Sequence, residues 1–290
     1  MEKLLIIGCG DIARRALPEL QRRYRVTALV RSPDPALDAA GVEQITGDLD
    51  DAASLAPLAG RAGRIAHLAP PTGNGALDMR TRNLLAALGP RGRGAMLPRR
   101  FVYLSSSGVY GDCAGEWIDE TRPPRPQTGR AVRRLDAERA LGDWGERVEI
   151  VILRVPGIYA SDRLPLERLA RGTPALRPDE DVYTNHIHAD DLAAILVAAL
   201  ESTLARGAYN ASDDGPMKMG DFFDLVADRT GLARPPRISR EEAARQLPPE
   251  LLSFMSESRR LSNRRMKAEL GVRLRYSTVH DGIPGIRETA

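Results

Sequence analysis

The sequence predicts an α/β fold: a doubly wound parallel sheet with helices on both faces and a small mixed C-terminal lobe. Three observations predict it. Short β-branched apolar runs alternate with helical patterns through the first half of the chain, as parallel strands joined by crossover helices require. The runs FVYLSSS (101–107) and VEIVILRV (148–155) are apolar at successive positions, which suits strands covered on both faces. The first run, KLLIIG, feeds straight into the glycine turn GCG and a helical pattern, so the chain opens on a strand, a turn and a helix.

After that strand, IARRALPELQRR reads as the first helix, with Pro18 in its interior predicting a kink or an early end. RVTALV (25–30) is a second strand, EQIT (43–46) a short third and RIAHLAP (64–70) a fourth, followed by the crossover helix MRTRNLLAALG. PQTGRAVRRLDAERAL (126–141) supplies a helix between the two buried strands named above. After Val155 the style changes: 156–185 are rich in Pro, Gly and charge, with one short helical segment, PLERLARG, stopped by a glycine. IHADDLAAILVAALES (187–202) reads as an Asp-capped helix with an apolar stripe, and GAYNASD (207–213) as a strand feeding a loop. The expected sheet has about seven strands. GDFFDLVADRTGL follows, a helix stopped by Gly231, then a Pro-rich connector and a mixed tail. Residues 1–155, with 186–211 returning to them, form the expected main domain; 156–185 and 212–290 form a small lobe. The crevice between the two is the natural site.

At 290 residues and 42% hydrophobic, the chain buries a sizeable core. Its longest apolar run, LAAILVAAL (192–200), falls short of the ~18 residues of a membrane helix, so no span is expected. An apolar strand and glycine turn, MEKLLIIGCG, stand where a secretory leader would place its charged and apolar segments, so a cytoplasmic location is expected. Cys9 and Cys113 form no metal-ligand spacing and no disulfide framework, and no metal is expected. A net charge of +3 and arginines in the loop 89–100 invite a nucleic-acid reading. Yet the 42 basic residues, of which only Lys3, Lys218 and Lys267 are lysines, are scattered and offset by 39 acids, so no nucleic-acid partner is expected.

IIGCGDIARRAL contains GxGxxA: Gly8, Gly10 and Ala13, with Asp11 and Ile12 opening the helix. The first glycine permits a tight turn, the second lets backbone approach a pyrophosphate, and Ala13 keeps the helix close to the sheet. A glycine triplet alone fits a plain structural turn; its place after the first strand points to dinucleotide binding. The second strand ends in Arg31-Ser32, where an NAD site would place an acid for the ribose 2′-hydroxyl. A guanidinium there can hold a 2′-phosphate bidentately, which favours NADP while leaving NAD open; a solvated Arg31 is the alternative. Arg14 is placed to assist. Asp48 in GDL is a candidate partner for the adenine amino group, or simply a turn former.

GCGDIA (8–13), GDL (47–49), HLAPP (67–71), TRNLLAAL (81–88), YLSSSGVYGD (103–112), LRVPGIYA (153–160) and IHADDLA (187–193), in this order and spacing, resemble the extended short-chain dehydrogenase/reductases, the NAD-dependent epimerase/dehydratase group. The likeness covers nearly the whole chain. SSSGVYGDCAGEWIDE followed by RPQTGRAVRRLDAE resembles an atypical branch of that family. The resemblance implies that Leu49, Leu68, Ala69 and Pro70 line the cofactor and that Pro156, Gly157 and Ile158 approach the nicotinamide, although a tight turn after a strand explains the last three equally well. It implies that Ser106, with Ser107 behind it, orients the reacting oxygen; a Ser-rich turn is the alternative. Family members carry a Tyr-x-x-x-Lys pair on the next helix, the Tyr exchanging a proton and the Lys holding the nicotinamide ribose. Counted back from LDAE, Arg134 falls on the Lys position and Arg130 on the Tyr position; a register that aligns Thr128-Gly129 with the family's Tyr-Gly puts Val132 at the Lys instead.

Arg134 can replace Lys as a cation and ribose ligand. Arg130 cannot replace Tyr as a proton carrier, but it can bind an anionic substrate or the cofactor. Both arginines solvated, with Arg134 pairing Glu138 one turn on, is the plainer reading. Tyr110, Tyr159, His186 and His188 are the remaining candidates for proton exchange, each with a structural alternative. The expectation is an NADP(H)-binding oxidoreductase or epimerase-like enzyme acting on a small polar or anionic metabolite, with a nucleotide-sugar suggested by the family. The alternative is a catalytically silent dinucleotide-binding sensor or scaffold. A homodimer is implied by the resemblance only.

Overall fold

The computed structural model describes residues 1–89, 96–144, 147–283 and 285; Arg91 and Arg93 of the basic loop lie outside the described residues. Seven parallel strands form one sheet: β1 (Glu2–Ile7), β2 (Tyr24–Val30), β3 (Glu43–Thr46), β4 (Arg64–His67), β5 (Arg100–Ser106), β6 (Glu149–Val155) and β7 (Gly207–Asn210). Their order across the sheet is β7-β6-β5-β4-β1-β2-β3. The chain winds outward one way from β1 to β3, then returns to β4 and winds the other way. That reversal between β1 and β4 leaves a crevice at the strands' carboxyl ends, where doubly wound sheets bind ligands. The sheet is of the Rossmann type that the alternating pattern predicts.

Each strand serves two cores. Leu4 and Ile6 enter the layer beneath α1 (Asp11–Gln21) and α6 (Ala189–Glu201). Leu5 and Ile7 enter the layer beneath α3 (Met79–Leu88) and α4 (Gly129–Gly142). Alternate side chains of a strand leave opposite faces, so four consecutive apolar residues are needed to fill both. Helix α1 runs on past Pro18 to Gln21, so the expected early end does not occur. The Pro18 ring stands on the exposed face, where water replaces the lost N–H donor. Helix α6 is capped by His188, whose Nδ1 accepts from the Asp190 amide at 3.2 Å, and not by an aspartate. Asp191 turns away to accept the amides of Arg275 and Tyr276 at 2.8 and 2.9 Å, tying the tail to this helix.

The lobe is held by short strand pairs rather than a sheet of its own. Gly157–Tyr159 pairs with His186–His188, Ala175–Leu176 with Arg237–Ile238, Tyr183–Thr184 with Met217–Lys218, and Trp117–Ile118 with Arg260–Leu261. Its helices include α5 (Leu166–Ala170), α7 (Met219–Thr230), α8 (Arg240–Gln246) and α9 (Pro249–Phe254). Leu169, Ala175, Phe222, Phe223 and Val226 form a small separate core there. Farther on, Met266 packs into the main core beneath α6. No helix among the described residues is long and apolar enough to cross a membrane.

Candidate active-site cleft

Gly8 stands at the end of β1 with φ +87°, a conformation that L side chains rarely adopt, and a Cβ there would lie 2.6 Å from the Ala69 amide nitrogen. The close approach is fixed by Ile7, whose carbonyl accepts from both Leu68 and Ala69 at 2.8 and 3.1 Å. Gly10 caps α1, and a Cβ on it meets nothing within 4 Å. The first glycine is demanded by the protein itself; the second leaves open space before a helix N-terminus, which suits a pyrophosphate. Ala13 is fully buried against the sheet.

Three cavities run in a row from this turn. The first, about 410 Å³, is lined by Arg31, Ser32, Asp48, Leu49, Ala69 and Pro70. The second, about 310 Å³, takes in Gly10, Asp11, Ile12, Leu68, Arg134 and Ile158. Gly8 lines both. The third, about 330 Å³, is lined by Ser106, Ser107, Arg130, Pro156 and Gly157 together with residues of the lobe. Ser106 and Pro156 line the second and third alike, so a group bound in one meets a group bound in the other there. Of the residues singled out for catalysis or cofactor binding, Arg14, Tyr110, Tyr159 and His188 do not line this row; the others do.

Tyr110 lies away from the row. Its ring is buried with Val109, Cys113 and Ile118, and its hydroxyl donates to Asn210 at 2.8 Å. Burial pushes the phenol up to about 12. The sequence places it four residues past Ser106, but the 3₁₀ turn Ser107–Tyr110 swings it into the core. Tyr159 likewise donates to the Thr278 carbonyl at 3.0 Å, and His188 is the helix cap. Of the four candidates for proton exchange only His186 lines the third cavity; it stacks on Phe222 at 4.3 Å, and burial pushes its imidazole down to about 4.

At the first cavity Arg31 is exposed. Arg14 is already engaged: its guanidinium binds the Asp34 carboxylate, holding it below the usual carboxylate range, and its Nε donates to the Cys9 carbonyl at 3.2 Å. Asp34 lines this cavity, and the sequence reading missed it because its visible role is to cap the short helix α2 (Pro35–Ala39). Asp48 accepts from the Asp50 amide at 3.0 Å, as a turn former does, while lining the cavity.

Thr128 caps α4, accepting from the Ala131 amide at 3.4 Å, and this start sets Arg130 and Arg134 one turn apart. Arg134 donates from Nη1 to the Leu104 carbonyl at 2.6 Å and the Tyr103 hydroxyl at 3.0 Å. It does not pair with Glu138, because Glu138 is buried in an ion pair with Arg154 at 2.8 Å and accepts from Ser105 Oγ at 2.5 Å. Arg130 lies over the Phe254 ring at 3.9 Å and donates to Ser253 Oγ at 3.1 Å. Ser106 Oγ accepts from the Gly108 amide at 3.1 Å, leaving its own proton to donate outward. The lobe adds residues that the sequence reading missed: Arg168, Glu257 and Arg259. They lie far along the chain from Ser106 in segments with no motif, and only the folded lobe brings them to it.

A family model described as NAD(P)H-binding matches residues 8–203. A conserved protein of unknown function from Silicibacter pomeroyi is similar at 29% identity, covering 98% of this chain and 97% of that one, with a TM-score of 0.76. A candidate NAD-dependent epimerase/dehydratase from Methylobacillus flagellatus is also 29% identical, covering 97% and 96%, with a TM-score of 0.73. UDP-glucose 4-epimerase from Thermus thermophilus, in complex with NAD, shares the fold at 22% identity, covering 97% and 96%, with a TM-score of 0.75. The comparison with curated proteins gives no match.

Proposed function

This chain belongs to the NAD(P)H-binding family and has the fold of the NAD-dependent epimerase/dehydratases; from that premise we propose that it is an NADP(H)-dependent oxidoreductase or epimerase-like enzyme acting on a small polar or anionic metabolite. One observation carries the reading: Ser106 and Pro156 line both the cavity in front of the glycine turn and the cavity under the lobe. The residues present fit a dinucleotide. Gly10 leaves room for a pyrophosphate, Arg31 lines the first cavity where its guanidinium can hold a 2′-phosphate, and Arg134 lines the second, where it can donate to a ribose. A nicotinamide bound there supplies or accepts hydride at the substrate. Ser106 donates a hydrogen bond to the reacting oxygen. Arg130 holds substrate charge beside it without giving up a proton. Proton exchange therefore falls to another group lining the cavity, where Tyr183, His186 and Glu257 are the side chains able to carry a proton.

The test is a fluorescence titration of NADPH and NADH into wild type and Arg31→Ala. Losing a bidentate contact to the 2′-phosphate weakens NADPH roughly tenfold or more and leaves NADH unchanged. Equal effects on both, or tighter NADH in wild type, overturn the NADP assignment. The second reading, a binding protein without turnover, is favoured by Arg130 and Arg134 on α4, at the positions where the resemblance implies Tyr and Lys. In an assay with a turned-over substrate, Ser106→Ala abolishes activity if the enzyme reading holds; unchanged turnover sinks the role given to Ser106.

A further inference from the structure

The substrate cavity carries more positive charge than its own carboxylate neutralises. Arg259, partly buried, meets the buried Glu257 at 2.8 Å. Arg130 and Arg168 line the same cavity from different walls, one from α4 beside Ser106 and the other from α5 in the lobe. Neither has an acidic partner among the described residues. The polar contact of Arg130 is the Ser253 hydroxyl at 3.1 Å; that of Arg168 is the Pro174 carbonyl at 3.2 Å. Each guanidinium otherwise lies over an aromatic ring, Phe254 at 3.9 Å and Phe223 at 4.1 Å. The Nε of Arg168 is buried with no partner. Of the buried arginines outside this cavity, Arg64, Arg100 and Arg154 meet carboxylates at 2.8, 2.7 and 2.8 Å, while Arg133 rests on the Gly75 carbonyl at 2.9 Å.

Arg130 is exposed and Arg168 half-buried; at Arg168 a guanidinium drawn out of water without a counter-ion is costly, and the aromatic face offsets only part of that cost. An incoming anion removes the remainder. The cavity of about 330 Å³ is small for a ligand pocket, which runs from ~300 to ~1,000 Å³. Phe222, Phe223 and Phe254 take up part of its wall. We propose that this cavity takes a compact organic dianion, with one anionic group on Arg130 beside the reacting oxygen and the other on Arg168. This inference rests on the enzyme reading above and narrows its substrate to a small doubly charged acid, with Arg168 setting the specificity.

Isothermal titration of the NADPH-loaded protein tests it. The probes are dicarboxylates from malonate to adipate, glycerol 3-phosphate, butyrate as a singly charged control, and UDP-glucose. At least one dicarboxylate binds wild type, butyrate binds at least tenfold more weakly, and Arg168→Gln weakens the dicarboxylate at least tenfold while Arg168→Lys retains part of the affinity. NADPH affinity, unchanged in both variants, shows that they are folded. No dicarboxylate binding, equal binding by Arg168→Gln, or UDP-glucose or glycerol 3-phosphate binding more tightly than every dicarboxylate overturns the proposal. The same series without cofactor keeps the two readings apart. If NADPH does not bind wild type, the cofactor reading falls, and dianion binding to the bare cavity still decides this one.

Discussion

Burial beneath the cofactor turn keeps the imidazole of His67 neutral. Its Nε2 lies 2.9 Å from Thr81 Oγ1, and that hydroxyl donates to Asp78 at 2.7 Å, so His67 is the donor in the chain. Burial above all, and then the charge of Arg134, push its pKa down to about 3. The unfolded chain regains an ordinary histidine near ~6.5. Below that pH the unfolded state binds a proton that the folded state refuses. The contribution of His67 to stability is therefore fully present above pH ~6.5 and is lost as pH falls toward the folded value. His67→Gln removes the titrating group and flattens the pH dependence of stability by ~1.4 kcal/mol per pH unit in that window. Urea midpoints for both proteins at pH 7.5, 5.5 and 4.5 measure this; parallel curves would show that His67 is protonated in the fold. The sequence marks His67 as part of HLAPP but gives no sign of Asp78 and Thr81, which reach it from another element. Gly8 was legible as a turn, whereas its contact with Ala69 was not, because that contact exists only once β4 lies beside β1.

Helix α4 shows the same division at the scale of an element. The spacing of Arg130 and Arg134 can be read from the letters, whereas the cap at Thr128 emerges only in the structure. The fate of Glu138 cannot be read there either, because its partner, Arg154, lies on β6 and reaches it only across the layer between helix and sheet. The plainer reading of an Arg134–Glu138 pair one turn apart fails for that reason. Glu138 also accepts from Ser105, next to Ser106 at the end of β5, so the buried pair braces the strand that carries the candidate site. Glu138→Gln leaves the Arg154 guanidinium buried without its counter-charge, which costs about 3–5 kcal/mol. Urea denaturation reads that loss. A change under ~1 kcal/mol, the scale of an exposed pair, would mean that water reaches Arg154 and that the brace is not buried in solution.

Across the whole molecule the sheet was more legible than the lobe, and the reason is physical. A strand covered on both faces needs an unbroken apolar run, and that run is visible in the sequence; the two-residue strand pairs of the lobe leave almost no pattern. Crossover rules then place the glycine turn and the end of β5 on one edge of the sheet. Nothing comparable places Arg168 or Glu257, which depend on short helices and loops folding back over that edge. The strands and the glycine turn under the crevice are therefore visible in the sequence, and the lobe residues over it are not. The cofactor reading predicts linkage between the crevice and global stability. A dinucleotide that binds only the folded state adds ~2.7 kcal/mol at a hundred times its Kd, enough to raise Tm by roughly four degrees. Gly10→Val separates this from nonspecific stabilisation. Since no protein atom lies within 4 Å of a Cβ at that position, the variant keeps a Tm close to wild type without ligand, but the branched side chain fills the space left for the pyrophosphate. Thermal melts with and without NADPH then show a shift in wild type and none in the variant. An equal shift in both would place the dinucleotide away from the glycine turn, and with it the function proposed for Ser106 and Arg134 would lose its footing.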